Sequence, residues 1–287
     1  MKCSCGHALT EDDRLEHRVL CGDSRSADDV ARLCTEKVNG AFTSPPYAEQ
    51  RKEQYGGVPV DKYVDWWEPV QANVQSVLAA DGSFFVNIKP NCNGLDRELY
   101  VMDLVIAHVR QWGWHLAEEF CWERSGVPQQ VVRRFKNQFE PVYQLALGPW
   151  KIRPSNVQHA SGNVPIAMGK GKGGDTNAAR RQGKCSAVRD NAITPGVAYP
   201  GNRISPGVAG EALGHPAAFS VGLPSFFIKA FSDEGDRWLD PFLGSGTTLV
   251  ACETLGRIGH GIEIAPQYVA VTLERMKGMG LQPELVK

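Results

Sequence analysis

Two short segments combine residue types at spacings that could do chemistry. The first is Asp240-Pro241-Phe242-Leu243-Gly244-Ser245-Gly246-Thr247-Thr248, lying between a strand pattern and a helix pattern. Glycines at such a turn let the backbone approach a ligand closely, and the helix start offers free N–H groups. Glu263 ends the next strand, 17 residues after Gly246, where a carboxylate can accept hydrogen bonds from ribose hydroxyls. A phosphate loop would need Gly-Lys-Ser/Thr here, and no lysine is present; a dinucleotide fingerprint would need a glycine where Leu249 stands. What remains is a nucleoside-type ligand without pyrophosphate, a description that S-adenosylmethionine fits. A bare Gly-x-Gly also describes an ordinary tight turn.

The second segment is Thr43-Ser44-Pro45-Pro46-Tyr47, at the end of another strand pattern. In parallel sheets ligands bind outside the carboxyl ends of the strands, which sets a hydroxyl and an aromatic ring beside the cofactor crevice. Two prolines stiffen a turn that presents Ser44 Oγ together with the Pro45 carbonyl. Two acceptors of this kind suit the two N–H bonds of a planar amine on an aromatic ring, and Tyr47 offers a face for stacking. The plainer alternative is a surface turn with a half-buried tyrosine.

The elements that must position these groups follow from periodicity. Strands are expected at 17–21, 38–43, 83–88, 114–122, 141–147, 237–240 and 258–264. Helices are expected at 27–34 (capped by Ser26), 61–80, 99–112, 247–255 and 266–276, with a turn and helix over 215–231. This alternation predicts an α/β fold with a parallel sheet covered on both faces. Trp66, Trp67, Trp112, Trp114 and Trp122 are read as core or interface residues.

A chain of 287 residues is ample for a core without staples, and no apolar run approaches the ~18 residues of a membrane span. Eight scattered cysteines and no apolar leader at the start fit a reducing cytoplasm. Cys3-Ser4-Cys5-Gly6-His7 has a one-residue spacer and no second pair, so no metal is expected there. The α/β pattern fails over 151–212, which holds ten of the 30 glycines and one aromatic. That segment carries nine basic and three acidic residues, a charge of +6, against −7 for the rest. The overall −1 therefore conceals a basic insertion on an acidic body, which is compatible with a nucleic-acid partner.

Taken together, Ser-Pro-Pro-Tyr and Asp-Pro-Phe-x-Gly-Ser-Gly-Thr-Thr resemble the beta group of exocyclic-amino DNA methyltransferases, from about His17 to Met276. The resemblance implies a Rossmann-like class I methyltransferase sheet, circularly permuted so that the catalytic half precedes the cofactor half, with a loop-rich target-recognition insertion. The implied divisions are an N-terminal extension (1–16), a catalytic half (17–150), the insertion (151–212) and a cofactor half (213–287).

The resemblance further implies that S-adenosylmethionine is held by Thr43, Asp240, Pro241, Phe242, Gly244, Ser245, Gly246, Thr247 and Thr248. Glu263 would take the ribose and Asp23 the adenine side, with His215 and Phe219 closing over the ligand. Ser44, Pro45, Pro46 and Tyr47 would be catalytic, acting on a base flipped out of double-stranded DNA. Phe139-Glu140-Pro141 resembles a segment that shapes the base pocket. Arg51, Lys52, Lys170, Lys172, Arg180, Arg181, Lys184, Arg189 and Arg203 are the expected DNA contacts. Arg124, Arg133, Arg134 and Lys136 could equally face phosphates or form a solvated helix face. Serine at position 44 is commoner among cytosine-N4 enzymes of this group and aspartate among adenine-N6 enzymes; both bases stay open. A homodimer is expected by analogy alone. The rival readings are an RNA or protein amine methyltransferase of the same fold and a catalytically silent DNA-binding module.

Overall fold

The computed structural model describes residues 16–49, 57–93, 96–124, 135, 137–157, 159–160, 197–198, 200–205 and 221–286. The principal elements are β1 (Arg18–Cys21), α1 (Ala27–Leu33), β2 (Val38–Thr43), α2 (Tyr63–Val77), β3 (Leu78–Asn87), α3 (Tyr100–Arg110), β4 (His115–Glu123) and β5 (Phe139–Ala146). There follow β6 (Arg203–Ile204), α4 (Gly222–Phe231), β7 (Arg237–Asp240), α5 (Thr247–Thr254), β8 (Ile258–Glu263), α6 (Pro266–Gly278) and β9 (Glu284–Val286). Among the described residues these strands form one nine-stranded sheet in the order β6-β4-β5-β3-β2-β7-β8-β1-β9.

Alternate side chains along each strand feed opposite layers. Phe84 of β3 packs with Trp67, Val70, Leu104 and Trp114 on the face covered by α1, α2 and α3. Its neighbour Phe85 packs with Phe42, Phe120, Phe227 and Trp238 on the face covered by α4. Val19, Leu249, Val269 and Met276 join α5 and α6 to the same sheet. Ser26 caps α1 as expected, its Oγ accepting from the Asp29 amide at 3.3 Å.

The sheet is not wholly parallel. β5 runs antiparallel to both β3 and β4, so the strands at this side of the sheet depart from the expected parallel order. α2 stops at Val77, and residues 78–82, expected to be helical or turn, open β3 instead. Leu78 pairs with Val38 of β2, a tertiary contact that overrides the helical propensity of the two alanines that follow. Two strands lack a signal in the sequence: β6, paired with β4, and β9, paired with β1.

Both described ends of the 151–212 segment attach to the body. The Arg153 amide donates to the Ala230 carbonyl of α4, and Ile204 is buried within the sheet. Of the expected site residues, Arg51, Lys52, Lys170, Lys172, Arg180, Arg181, Lys184, Arg189, His215 and Phe219 lie outside the described residues, as do Cys3, Cys5 and His7.

Candidate active site

β1, β2, β7 and β8 are mutually parallel neighbours, so the segments that follow them leave the sheet at one edge. Asp240, the last residue of β7, is buried, and its carboxylate is fully engaged. Oδ1 accepts from Thr43 Oγ1 at 2.9 Å and from the Phe242 amide at 3.0 Å, while Oδ2 accepts from Thr248 Oγ1 at 2.6 Å. Burial pushes the Asp240 carboxyl up to about 6, with the Glu263 charge adding to the shift and the three hydrogen bonds opposing it. Asp240, Thr43 and Thr248 thus form a brace beneath the turn and lie off the cavity wall.

The glycine turn is shaped by two left-handed residues, Gly244 at φ 55° and Gly246 at φ 81°. A Cβ on Gly246 would meet Thr272 Cγ2 at 2.7 Å. The turn amides, expected to be free for a ligand, are largely used internally. Gly244 N–H donates to Glu263 Oε2 at 2.9 Å, Leu243 N–H to the Ile262 carbonyl and Gly246 N–H to the Leu243 carbonyl. Glu263 Oε1 accepts from the Ala265 amide at 2.9 Å. A carboxylate therefore sits where a phosphate loop would present N–H groups. This electrostatic arrangement repels a pyrophosphate and suits hydroxyl donors. From behind, α6 clamps the turn. Thr272 Oγ1 donates to the Gly244 carbonyl at 3.0 Å, and Arg275 Nη1 donates to the Ser245 carbonyl at 3.1 Å and Thr247 Oγ1 at 3.2 Å.

In front of Glu263 lies a cavity of about 610 Å³ lined by Gly22, Asp23, Arg25, Pro46, Val58, Lys62, Trp66, Pro241, Phe242, Glu263, Ile264 and Pro266, among others. Of the expected cofactor residues, Asp23, Pro241, Phe242 and Glu263 reach it; Gly244, Ser245, Gly246 and Thr247 are not on its wall, although Gly244 N–H holds Glu263, which is. Trp66 and Lys62 were not anticipated there. Trp66 sits 5.6 Å from Phe242 between ring centroids, so its helical spacing marked only a core position. Asp23 is gripped by Arg25, whose Nε and Nη2 reach it at 3.0 and 2.7 Å. Burial works to raise the Asp23 carboxyl, but the Arg25 side chain, backbone N–H and charge together hold it below the usual range. Apolar faces on Phe242, Trp66, Ile264 and Pro266, with carboxylates at Asp23 and Glu263, fit the adenosyl and ribose parts of S-adenosylmethionine. The volume lies within the ~300–1,000 Å³ usual for small-molecule sites.

The proline turn borders the same cavity through Pro46. Tyr63, fully buried in α2, donates its hydroxyl to the Pro46 carbonyl at 2.8 Å, and Asn91 Nδ2 donates to the Ala48 carbonyl. Tyr47 donates its hydroxyl to Glu140 Oε2 at 3.2 Å, and its phenol also has a side-chain hydrogen bond with Ser44. Burial, and then the nearby Glu140 charge, raise the Tyr47 phenol far above its ordinary value, so it stays neutral. Arg203, the one expected DNA contact among the described residues, is exposed and pairs with Glu123 at 3.2 Å.

A family model for DNA methylases of the N6/N4 type matches residues 38–274. The type II methyltransferase M.PvuII of Proteus hauseri is 28% identical over 280 residues, covering 88% of this chain and 81% of the relative. The DNA adenine methyltransferase YhdJ of Escherichia coli K12 is 25% identical, covering 90% of this chain and 82% of the relative. Among solved structures, the cytosine-N4-specific PvuII DNA methyltransferase aligns with a TM-score of 0.63 at 24% identity, over 90% of this chain and 86% of that one. A putative DNA modification methylase from Thermus thermophilus, complexed with S-adenosyl-L-methionine, aligns with a TM-score of 0.63 at 19% identity, over 94% and 98%. With the family match spanning most of its length, this chain belongs to the N6/N4 family of DNA methylases, S-adenosylmethionine-dependent enzymes that methylate an exocyclic base amine.

Proposed function

We propose that the methyl acceptor is the N4 amine of cytosine or the N6 amine of adenine, held between Ser44 Oγ and the Pro45 carbonyl with its ring stacked on Tyr47. The observation that carries this reading is the shared wall. Pro46 of the proline turn and Phe242 and Glu263 of the glycine half line one cavity, although some 200 residues of chain separate them.

S-adenosylmethionine supplies an electrophilic methyl group when bound; the rest falls to this chain. The exocyclic amine donates its lone pair into the ring and is a weak nucleophile. Accepting both N–H bonds at Ser44 and Pro45 favours a more tetrahedral nitrogen with its lone pair released. Tyr63, through the Pro46 carbonyl, keeps that turn from drifting. Holding two reactants in line is worth up to roughly 7–11 kcal/mol, so rigidity here matters more than acidity. Tyr47, half-buried and neutral, presents a ring face that offsets part of the few kcal/mol needed to unstack a base. No cysteine is required as a nucleophile.

The basic insertion over 151–212, with Arg51 and Lys52, is the proposed target-recognition surface, meeting double-stranded DNA mainly through phosphates. A DNA substrate supports a cytoplasmic location. Among the described residues no helix is long and apolar enough to cross a membrane. A homodimer, expected by analogy, is checked by sedimentation at micromolar concentration.

The deciding experiment incubates duplex DNA with the protein and methyl-labelled S-adenosylmethionine, then identifies the modified nucleoside by mass spectrometry. Label in N4-methylcytosine or N6-methyladenine names the base, and label confined to RNA or protein substrates rejects the DNA reading. Ser44→Ala should retain cofactor binding and lose turnover; unchanged turnover would remove Ser44 from the mechanism.

A further inference from the structure

The start of β5 holds a carboxylate for which the transfer step has no use. Glu140 is 4% exposed, yet donors from three other segments converge on it. Its Oε1 accepts from Lys89 Nζ at 2.5 Å and from Arg124 Nη1 at 3.0 Å, and its Oε2 accepts from the Tyr47 hydroxyl at 3.2 Å. Lys89 lies just beyond β3 and Arg124 just beyond β4, with side chains 31% and 42% exposed. No second carboxylate among the described residues pairs with either cation.

One buried negative charge therefore gathers two positive ones, both on a single oxygen, and leaves +1 at a partly open position. One carboxylate charge neutralises only one of the two cations. The second repels the first, and an anion arriving from solvent relieves that repulsion. Both cations are already oriented. The Arg124 guanidinium lies 4.6 Å from the Trp122 ring centroid and the Lys89 ammonium 5.8 Å from that of Tyr47. Little side-chain freedom is left to lose on binding.

We propose that Lys89 and Arg124, held by Glu140, grip one backbone phosphate of the nucleotide whose base stacks on Tyr47. A nucleotide carries its phosphate one sugar away from its base, and here the cation pair adjoins the stacking ring. Guanidinium and ammonium groups are the usual phosphate partners. Glu140 is a positioning residue that ties the base platform and the phosphate grip into one unit. The inference rests on DNA as substrate, and cofactor binding provides a separate readout.

The test uses a fluorescein-labelled, mixed-sequence single-stranded DNA 12-mer, whose bases need no extrusion from a duplex. Its affinity for the full chain is measured by anisotropy across a salt series, beside calorimetric binding of S-adenosylmethionine. K89Q/R124Q should lower the slope of log affinity against log salt by about 0.7, the value for one phosphate on a single strand, with cofactor affinity unchanged. The charge-preserving K89R/R124K should restore the slope. A measurement on the unmodified protein is independent of any folding defect: acetylation of Lys89, followed by mass spectrometry, should fall when the oligonucleotide is present and not when S-adenosylmethionine alone is added. An unchanged salt slope in K89Q/R124Q, or equal Lys89 acetylation with and without DNA, overturns the proposal.

Discussion

At Gly246 the backbone stands at φ 81°, and any Cβ would press on Thr272 at 2.7 Å. Gly246→Val is therefore expected to cost roughly 1–3 kcal/mol from backbone strain alone, and more as Thr272 is displaced. Since Thr272 holds the Gly244 carbonyl and Gly244 holds Glu263, cofactor affinity should fall with it. A urea midpoint and a calorimetric affinity both equal to those of the unmodified protein would contradict the clamp. The glycine turn was readable because a left-handed backbone selects glycine at the sequence level. Glu140 was readable only as part of a segment, because its partners Tyr47 and Lys89 lie 93 and 51 positions away and leave no local pattern. Asp240 was readable as an acid at a strand end. Its actual task, bracing two threonines and a backbone amide, depends on contacts that periodicity does not report.

Among the elements, the connection from β1 to α1 shows how a helix start can serve a binding wall. Ser26 caps α1 through the Asp29 amide, and the Asp29 side chain turns back to accept from the Asp23 amide at 2.8 Å. Asp29→Ala releases Asp23 from that anchor. The expected result is a KM for S-adenosylmethionine raised several-fold with kcat nearly unchanged, measured by initial rates at saturating DNA; a fall in kcat alone would assign Asp29 elsewhere. The helices and the strands of the parallel half were legible because long amphipathic runs and buried apolar runs have different periods. The junction at Val77–Leu78 was not, since an apolar residue followed by two alanines suits either state until β2 pairs with it. β9 is three residues long and lies at an edge, too short for any period to show. The antiparallel course of β5 was not legible either, since strand composition does not encode direction.

For the molecule as a whole, the division of charge, +6 over 151–212 and −7 over the rest, says more than its sum of −1. Stability against pH is likewise a balance. Burial holds His108 and His260 neutral, with values lowered to about 4 and about 3, so the unfolded chain binds two more protons than the folded one between about pH 4 and 6. Asp240 is raised by burial to about 6, so over the same interval the folded state binds one more proton there. These three groups leave a net difference of one, and stability should rise with pH by about 1.4 kcal/mol per unit. Asp240→Asn removes the opposing proton and should steepen the slope toward about 2.7 kcal/mol per unit, read from urea midpoints between pH 4 and 6. An unchanged slope would show that Asp240 titrates normally. At one border of the sheet, β9 is laid along β1 and pinned by Arg18 Nε to Glu284 Oε2 at 2.8 Å. Removing residues 282–287 would bare the N–H and C=O groups of β1, a row ready to template pairing with another chain. The shortened protein should scatter light on heating at concentrations where the longer one stays clear. If it does, the three residues of β9 have a task separate from methyl transfer: covering the outer flank of β1 against self-association.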